Sequence, residues 1–329
     1  MSFAVLGAGG WGTAIARLLA NQNHPTTLWA RNPARANEIA RTQRNEAYLS
    51  GVGLPASLSV TADLADCMAA ETLILAVPSI GMADVLAQIA DLAPPPRRVI
   101  NLAKGMDRDT HQTMSELILG RFPQADVFTL SGPSHAEEVG RDVPTAVVLA
   151  GVNLEMGHAL LREIATPRFR VYLSSDIRGV ELCSTVKNVI ALATGVSDGL
   201  GYGDNSRGAL ITRGLAEMVR FGRRYGVRDA TFFGLSGLGD LVATCTSQHS
   251  RNRAVGVRLG KGEPIDDILR GMSMIAEGVF ATDVVAHLAE QQGIEMPITD
   301  AVHRLLRGQA APLSLVDEIM TRAPKREDS

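Results

Sequence analysis

Short apolar segments and helical segments alternate along the first half of the chain. Several of the apolar segments are hydrophobic throughout or nearly so, which is typical of strands that are covered on both faces of a parallel sheet. The alternation predicts strands joined by crossover helices in one mostly parallel sheet. The eight predicted strands are Phe3–Leu6, Thr26–Trp29, Leu58–Val60, Thr72–Val77, Arg98–Leu102, Val127–Leu130, Thr145–Leu149 and Arg170–Leu173.

The second half of the chain has a different periodicity. After Asp176 the apolar residues recur at helical spacing, without convincing strands. Gly226 and Gly293 are predicted to end helices, and Thr299 to cap the start of one. Residues 323–329 are expected to form a frayed tail. The predicted helices are Val180–Val196, Ala209–Tyr225, Pro264–Leu269, Thr282–Gln292 and Thr299–Leu306.

These patterns predict an α/β chain of two domains. A doubly wound sheet is expected over residues 1–176 and an all-α C-terminal domain over residues 177–329. The length of 329 residues is large for one hydrophobic core, which also favours two domains.

Composition narrows the class of protein. Hydrophobic residues make up 46% and charged residues 20% of the chain, which is typical of a globular protein rather than a disordered one. The net charge of -3 gives no general attraction to nucleic acid or anionic lipid. The start of the chain lacks the basic region of a signal peptide, and no apolar run reaches membrane-spanning length. We therefore expect a cytoplasmic protein without nucleic-acid binding or membrane insertion.

Neither the cysteines nor the histidines suggest a metal site. The three cysteines are far apart and show no CxxC spacing, so reduced thiols are expected. The seven histidines show no HExxH or similar pattern. We expect no metal.

The segment Gly7–Gly12 reads G-A-G-G-W-G and lies between a predicted strand and an apolar-patterned helix. In a G-x-G-x-x-G motif, Gly7 permits a tight turn and Gly9 lets the backbone approach a pyrophosphate, while Gly12 allows close packing of helix on strand. The helix N-terminus offers unpaired N–H groups to the anion. The motif indicates a Rossmann-type NAD(P)-binding domain; the alternative is a glycine-rich turn without a ligand.

The second predicted strand ends in Trp-Ala-Arg31-Asn, and no Asp or Glu occurs between Met1 and Asn37. An acidic residue at this position would bind the ribose 2′-hydroxyl of NAD, whereas a guanidinium suits the 2′-phosphate of NADP. The hypothesis is that NADPH is preferred and that NAD remains possible. The alternative is that Arg31 is a solvated surface charge.

Lys187 is the only charged residue between Leu182 and Ser197, in an otherwise apolar helical stretch. Burial of an ammonium lowers its pKa, which brings a lysine toward proton transfer near neutral pH. The alternative is a lysine whose stem lies along the surface.

Two further segments carry candidate chemistry. Asp240 follows the glycine-rich turn Ser236–Gly239, where its carboxylate could cap a helix or hold a lysine ammonium. Ser250–Arg253 gathers donors suited to phosphate, as an anion site or as a solvated helix face.

Along nearly its whole length the sequence resembles the bacterial NAD(P)-dependent glycerol-3-phosphate dehydrogenases. The resemblance implies an N-terminal Rossmann-type domain, a helical C-terminal domain, and interconversion of dihydroxyacetone phosphate and sn-glycerol 3-phosphate for phospholipid synthesis. The matching stretches are Gly7–Ala14, Leu75–Ser79, Ala103–Gly105, Leu130–Ser134, Gly179–Leu192, Asp198–Gly214, Gly237–Thr246 and Ser250–Arg253.

The resemblance also implies roles for individual residues. Lys187 would be the general acid and base at the substrate oxygen, with Lys104 and Asp240 as further catalytic residues. The implied substrate-binding residues are Lys104, Gly132, Ser134, Lys187, Asp240, Ser250, Arg251 and Asn252. The implied cofactor-binding residues are Gly7, Gly9, Gly10, Trp11, Gly12, Arg31, Lys104, Ala136, Arg251, Ile275 and Glu277.

Some positions depart from the family pattern. Many relatives have Ser at position 10, Thr at position 134 and Phe at position 135, where this chain has Gly10, Ser134 and His135. A side-chain contact from position 10 to the pyrophosphate is therefore lost, although a backbone N–H remains.

Two other functions are compatible with the same architecture. A related two-domain dehydrogenase such as a ketopantoate reductase would leave the Ser250–Arg253 cluster unexplained. A non-catalytic nucleotide-sensing module would not require a buried lysine beside a carboxylate and an anion site. Apolar helices in the second half make a homodimer plausible.

Overall fold

A computed structural model of the protein describes residues 1–92, 94–272 and 275–321. Its sheet contains eight strands in the order β3-β2-β1-β4-β5-β6-β7-β8. All eight predicted strands are confirmed, with small shifts at their ends. The strands are β1 Phe3–Leu6, β2 Thr26–Trp29, β3 Leu58–Thr61, β4 Thr72–Leu75, β5 Arg98–Asn101, β6 Asp126–Ser131, β7 Thr145–Gly151 and β8 Phe169–Ser174. The predicted tail at residues 323–329 lies outside the described residues.

Helices connect the strands and cover both faces of the sheet. They are α1 Gly10–Asn21, α2 Pro33–Thr42, α3 Met82–Ala90, α4 Met114–Arg121, α5 Ala136–Val139 and α6 Leu154–Ile164. Phe3 and Val5 of β1 belong to a core cluster with α1, α2 and α6, whereas Ala4 and Leu6 belong to a cluster with α3 and α4. Because successive strand residues face opposite sides, a continuously apolar strand fills both layers.

The sheet is parallel from β3 to β6, and the pairing changes at β7. Strand β7 runs antiparallel to β6, and β8 runs parallel to β7. The segment between β6 and β7 carries only the four-residue helix α5. This helix is too short for the crossover that a parallel pairing of the two strands would require. The prediction of a mostly parallel doubly wound sheet is confirmed.

The second half is helical among the described residues. Its helices are α7 Ile177–Gly199, α8 Asp204–Arg224, α9 Asp229–Phe232, α10 Asp240–Thr246, α11 Arg251–Gly260, α12 Ile265–Arg270, α13 Glu277–Gln292, α14 Pro297–Leu306 and α15 Pro312–Met320. A π-helical turn, Leu235–Gly239, precedes α10. Gly293 ends α13 at φ 62°, and Gly226 follows α8 at φ 70°, so both predicted helix ends are confirmed.

The predicted N-cap at Thr299 is wrong. Helix α14 begins with Pro297 in its first turn, and Met296 occupies the cap position without a side-chain hydrogen bond. The cap comes from another helix, since the carboxylate of Glu217 accepts the N–H groups of Ile298 and Thr299 at 2.6 and 3.2 Å and the Thr299 hydroxyl at 3.0 Å. Proline pre-sets the first helical residue, which moves the start of the helix upstream.

The chain divides into two compact units. The first, here called the sheet unit, comprises Met1–Ser184 and Val227–Asp240, and the second, the helical unit, comprises Thr185–Gly226 and Leu241–Ser329. The predicted domain boundary between residues 176 and 177 stays a prediction. No helix in the part of the chain that the structure describes has the length and apolarity to cross a membrane.

Within the helical unit, α7 and α11 approach each other through glycines. A Cβ added at Gly195 would lie 2.2 Å from the carbonyl oxygen of Arg253, and one added at Gly256 would lie 2.2 Å from that of Leu192. Gly199 and Gly260 make the same kind of contact one turn further on. Only glycine permits this separation of the backbones, which holds α11 against α7.

Candidate active site

The glycine-rich turn lies between β1 and α1, at the point where the strand order reverses. Gly7 has φ 120°, a conformation that favours glycine, and a Cβ there would lie 2.7 Å from the carbonyl oxygen of Ala76. A Cβ at Gly12 would lie 2.0 Å from the carbonyl oxygen of Gly7. The carboxyl ends of β1 and β4 therefore meet here with close helix packing, at the crevice where doubly wound sheets bind ligands.

The start of α1 fits an anionic group. Gly9 occupies the N-cap without a side-chain hydrogen bond, and a Cβ on it would meet open space. The indole Nε1 of Trp11 is buried without a hydrogen-bond partner. Amide groups at a helix N-terminus together with an orphaned buried donor suit a pyrophosphate. These residues are compatible with a bound dinucleotide.

Gly10 lies close to neighbouring chain segments. A Cβ there would approach the carbonyl oxygen of Tyr48 to 2.7 Å and the Cβ of Ala136 to 3.3 Å. Any side chain at position 10 therefore requires the Tyr48 backbone to shift. Ala136, predicted to line the cofactor, lies beside this turn at the start of α5.

Two guanidinium groups lie beyond the end of β2. Arg31 is exposed and follows Ala30, whose N–H donates to the carbonyl oxygen of Thr61. Arg35 on α2 stacks over the ring of Tyr48, with its Cζ 4.5 Å from the ring centroid. Asn32 caps α2 by accepting the N–H of Arg35. This edge carries positive charge where an NAD-specific site would carry a carboxylate.

The sheet unit brings Lys104, Gly132 and Asp240 together. The Lys104 ammonium donates to the Gly132 carbonyl oxygen at 3.0 Å and to Asp240 Oδ2 at 2.8 Å. Asp240 is 3% exposed and Lys104 19% exposed in their side chains, so the pair is largely shielded from solvent. Ser134 donates to the same Gly132 oxygen at 2.9 Å. A shielded ammonium held in this way is a pre-oriented positive charge.

The backbone conformation at two glycines positions the residues that contact Lys104. Gly132 follows β6 at φ 143°, and a Cβ there would lie 3.0 Å from the Cα of Val147. Gly237 in the π-helical turn has no room for a Cβ, which would lie 2.1 Å from the carbonyl oxygen of Phe232. The turn delivers Asp240 at the first residue of α10. Helical irregularities of this kind often occur at functional sites.

In the helical unit, Lys187 is buried at 3% exposure. Its ammonium donates to the hydroxyl of Thr244 at 2.7 Å. This burial contradicts the alternative of a stem that lies along the surface, and the hydrogen bond to the Thr244 hydroxyl on α10 helps to orient the amine. Whether Lys187 acts as a proton donor stays a prediction.

The start of α11 carries the predicted anion cluster. Ser250 caps the helix by accepting the N–H of Arg253 at 3.2 Å. Asn252 is buried, donating to Asn188 Oδ1 and accepting the N–H of Gly278, both at 2.9 Å. Arg251 is exposed. The helix N-terminus and its side chains form an arrangement suited to an anion.

Arg251 lies beside two residues that were predicted to line the cofactor. Its Nη1 donates to the carbonyl oxygen of Ile275 at 2.7 Å. Glu277 is the first residue of α13 and is partly buried. Arg251, Ile275 and Glu277 thus belong to one region of the helical unit.

Two further carboxyl groups are buried. Burial raises the pKa of Glu181 even though its oxygens accept hydrogen bonds from Ser115 and Thr129. Burial also raises the pKa of Glu217 to about 7, against the lowering effect of the N–H groups of Ile298 and Thr299. In both cases desolvation outweighs hydrogen bonding.

Sequence reasoning missed Thr244 and Asn188, which contact Lys187 and Asn252. Thr244 is a polar residue inside the otherwise apolar stretch Leu241–Cys245, and Asn188 directly follows Lys187 in an apolar helix. A buried polar residue requires a hydrogen-bond partner, so both positions carried a usable signal. The pairing of Asp240 with Lys104 joins residues 136 positions apart, which no local pattern reveals.

A glycine-rich turn at the switch point of a doubly wound sheet, with donors that fit a pyrophosphate, defines a dinucleotide-binding oxidoreductase of the Rossmann type. Two family profiles match the chain. They describe the N-terminus of NAD-dependent glycerol-3-phosphate dehydrogenase, over residues 2–157, and its C-terminus, over residues 176–317. The chain belongs to the NAD(P)-dependent glycerol-3-phosphate dehydrogenase family, which confirms the resemblance found in the sequence.

Individual relatives support this assignment. Glycerol-3-phosphate dehydrogenase [NAD(P)+] of Chlorobium limicola is 45% identical, and the alignment covers 99% of each chain. The crystal structure of glycerol-3-phosphate dehydrogenase from Coxiella burnetii has a TM-score of 0.94 at 38% identity, covering 98% of this chain and 99% of that one. A ketopantoate reductase from Ralstonia eutropha has a TM-score of 0.65 at 16% identity, covering 96% of this chain and 100% of that one, so that likeness shows the fold alone.

Proposed function

We propose that this chain interconverts dihydroxyacetone phosphate and sn-glycerol 3-phosphate with NADPH as the preferred cofactor and NADH as an alternative. The observation that carries the proposal is a buried lysine and a shielded lysine–aspartate pair in a chain with a dinucleotide-binding turn. The bound nicotinamide supplies the hydride in one direction and accepts it in the other. We infer that the glycerol phosphate is used for phospholipid synthesis.

Lys187 is proposed as the general acid and base. The ketone oxygen gains negative charge as the carbon is reduced, and a desolvated ammonium is suited to stabilise that charge and to deliver a proton. The hydrogen bond to Thr244 orients the amine by a neutral group, so the ammonium charge is not cancelled by that contact. In the reverse direction the neutral amine would take the hydroxyl proton.

Lys104 and Asp240 are proposed as a second catalytic pair. Asp240 and the Gly132 carbonyl fix the Lys104 ammonium, which limits its reorganisation when substrate binds. Ser134 and Gly132 would complete the substrate contacts on this side. Electrostatic stabilisation by groups already held in place is the largest contribution in many enzymes.

The start of α11 is proposed to bind the substrate phosphate through Ser250, Arg251 and Asn252. A helix N-terminus favours an anion, and a guanidinium can contact phosphate oxygens with two hydrogen bonds. The buried bonds of Asn252 to Asn188 and Gly278 fix this end of the helix. Such fixed donors lower the entropic cost of binding the phosphate.

The turn Gly7–Gly12 is proposed to bind the cofactor pyrophosphate, and Arg31 the 2′-phosphate of NADPH. Gly7, Gly9, Gly10 and Gly12 provide the backbone conformation, and the indole of Trp11 provides a donor. The remaining proposed cofactor residues are Lys104, Ala136, Arg251, Ile275 and Glu277. The exposed guanidinium of Arg31 is suited to an anionic group because it lies just beyond β2.

We also propose a domain organisation, a cellular location and an oligomeric state. Residues 1–176 would form the cofactor domain and residues 177–329 the substrate and catalytic domain. We propose a cytoplasmic homodimer. Three free, buried cysteines are consistent with a reducing compartment.

A steady-state assay tests the proposed reaction. NADPH absorbance is followed with dihydroxyacetone phosphate and, in parallel, with ketopantoate, and each substrate is repeated with NADH. Turnover of the phosphorylated ketone, with a higher kcat/KM for NADPH than for NADH, supports the proposal. Turnover of ketopantoate alone supports the related reductase, and tight NADPH binding without turnover of any phosphorylated ketone supports a nucleotide-sensing module.

A further inference from the structure

A buried carboxyl group in the sheet unit gathers donors from three separate elements. Glu181 is 2% exposed. Its Oε1 accepts hydrogen bonds from Asn101 Nδ2 at 3.2 Å, Thr129 Oγ1 at 2.8 Å and the Ser115 N–H at 3.0 Å, and its Oε2 accepts from Ser115 Oγ at 2.5 Å. The end of β5, the middle of β6 and the start of α4 are thus tied to one side chain.

Asn101 connects Glu181 to the segment that carries Lys104. Its Oδ1 accepts the N–H of Ala103 at 2.9 Å, and its Nδ2 donates to the carbonyl oxygen of the same residue at 3.2 Å. Both polar groups of Ala103 are therefore held by one amide. The same orientation of the amide directs Nδ2 to Glu181 Oε1, to which only Nδ2 can donate. Lys104 is the next residue after the one that is clamped.

A hydrogen bond to α7 also lies beside Gly132, whose carbonyl oxygen accepts from Lys104. Ser131 at the end of β6 and Ser184 on α7 share a hydrogen bond of 2.5 Å between their hydroxyls. Gly132, whose carbonyl accepts from the Lys104 ammonium, follows Ser131. Glu181 and Ser184 are three residues apart on α7, so both lie on one helical face.

We propose that Glu181, acting through Asn101, is a positioning residue that sets the Lys104 ammonium between Asp240 and the Gly132 carbonyl. The inference rests on the proposed function of Lys104. Burying a carboxyl group is costly, and a well-packed apolar side chain would stabilise a core at least as well. A fully satisfied buried network instead rigidifies its surroundings, which is the property that a pre-oriented ammonium requires.

Kinetics of three variants test this positioning role. In Glu181→Ala and Asn101→Ala, kcat/KM for dihydroxyacetone phosphate is expected to fall on the order of 100-fold, because small misplacements of a catalytic group have that effect. NADPH affinity should change far less, because Lys104 is one of eleven proposed cofactor residues. Glu181→Gln should recover most of the activity, since Oε1 keeps its role as acceptor and the amide can donate to Ser115 Oγ.

Glu217→Ala is the matched control for stability. Glu217 is as buried as Glu181 and accepts two backbone N–H groups and one hydroxyl, but it caps α14 in the helical unit. Its removal should destabilise the protein without the loss of kcat/KM. Equal losses in Glu181→Ala and Glu217→Ala, at temperatures where both are folded, would show a merely structural role and overturn the proposal.

A spectroscopic measurement reports Lys104 directly. The chain has four lysines, Lys104, Lys187, Lys261 and Lys325, so reductive methylation with ¹³C-formaldehyde gives few signals, which single Lys→Arg variants assign. In Asn101→Ala and Glu181→Ala the Lys104 signal should move toward that of the exposed Lys261, whereas the Lys187 signal should not. An unmoved Lys104 signal overturns the proposal.

The two measurements separate this inference from the proposed function. If wild type does not reduce dihydroxyacetone phosphate, the proposed function fails, and the Lys104 signal still decides the positioning role. If wild type is active and Glu181→Ala does not fold, Asn101→Ala decides, because it leaves the carboxyl group in place and removes the amide that joins Glu181 to Ala103.

Discussion

At the scale of single residues, the proposed function depends on how charged side chains are held. Lys187 donates to a neutral hydroxyl, whereas Lys104 donates to a carboxylate and a carbonyl. These hydrogen bonds of the two lysines go to different kinds of acceptor. Because a carboxylate and a carbonyl hold it in place, the Lys104 ammonium is suited to stabilise charge, and Lys187 is proposed for proton transfer because it is buried.

Arg31 provides a prediction about cofactor choice. Arg31→Ala should weaken NADPH binding on the order of tenfold, the effect of one charge-assisted hydrogen bond, and leave NADH binding unchanged. Fluorescence titration with each cofactor measures this. Arg41→Ala, on the exposed face of α2, is the control and should change neither affinity. An unaltered ratio in Arg31→Ala would assign Arg31 to the solvated surface.

Gly12 provides a prediction about the glycine-rich turn. In Gly12→Ala the new methyl group would overlap the Gly7 carbonyl oxygen, so stability should fall by about 1–3 kcal/mol, as in overpacked cores, and NADPH binding should be lost. Denaturant unfolding and cofactor titration measure the two effects. Gly53→Ala, where a Cβ meets nothing within 4 Å, should show neither. Normal NADPH binding by Gly12→Ala would remove the turn from the cofactor site.

At the scale of elements, Glu217 links pH to the stability of α14. Its folded pKa of about 7 exceeds its ordinary value of 4.5, so the folded state binds the proton more tightly. Between these values, stability should decrease as pH rises, by about 3 kcal/mol in total, and should change no further above the folded pKa.

Denaturant unfolding of wild type and Glu217→Gln across this pH range measures that contribution. The variant cannot titrate at this position, so the wild type should lose stability relative to it as pH rises. Glu155→Gln, an exposed carboxyl on α6, serves as the control and should keep the wild-type slope. Parallel slopes for wild type and Glu217→Gln would mean that folding leaves the pKa of Glu217 unchanged and would contradict this prediction.

The predicted elements differ in how much the sequence could reveal. All eight strands were predictable, because apolar runs of strand length are separated by helices in a repeating order. The antiparallel pairing of β7 with β6 was not specified by the sequence pattern, since a buried strand has the same composition in either direction. The start of α14 was mispredicted because its cap, Glu217, comes from α8, 81 residues away from Ile298.

Only those parts of the candidate site that are contiguous in the sequence could be predicted from it. The glycine-rich turn is contiguous, so its spacing and context identify it from sequence. The Lys104–Asp240 pair and the hydrogen bonds of Glu181 join distant residues, and local periodicity contains no information on such contacts. The resemblance to a known family pointed to Lys104 and to Asp240 separately. Their mutual hydrogen bond is visible only in the structure.

At the scale of the whole molecule, the chain belongs to a family of NAD(P)-dependent oxidoreductases, and it aligns with relatives over nearly its full length. A likeness of fold to a ketopantoate reductase at 16% identity does not determine the substrate, because one fold serves several reactions. The substrate is indicated instead by the family to which the chain belongs.

The most direct test compares turnover and cofactor binding in wild type and Lys187→Ala. With dihydroxyacetone phosphate and NADPH, turnover by the variant should fall by about 100-fold to 10,000-fold, the usual contribution of a general acid, while the dissociation constant for NADPH stays unchanged. Lys261→Ala, which removes an exposed lysine, should turn over like wild type. Undiminished turnover by Lys187→Ala would contradict the proposed proton transfer.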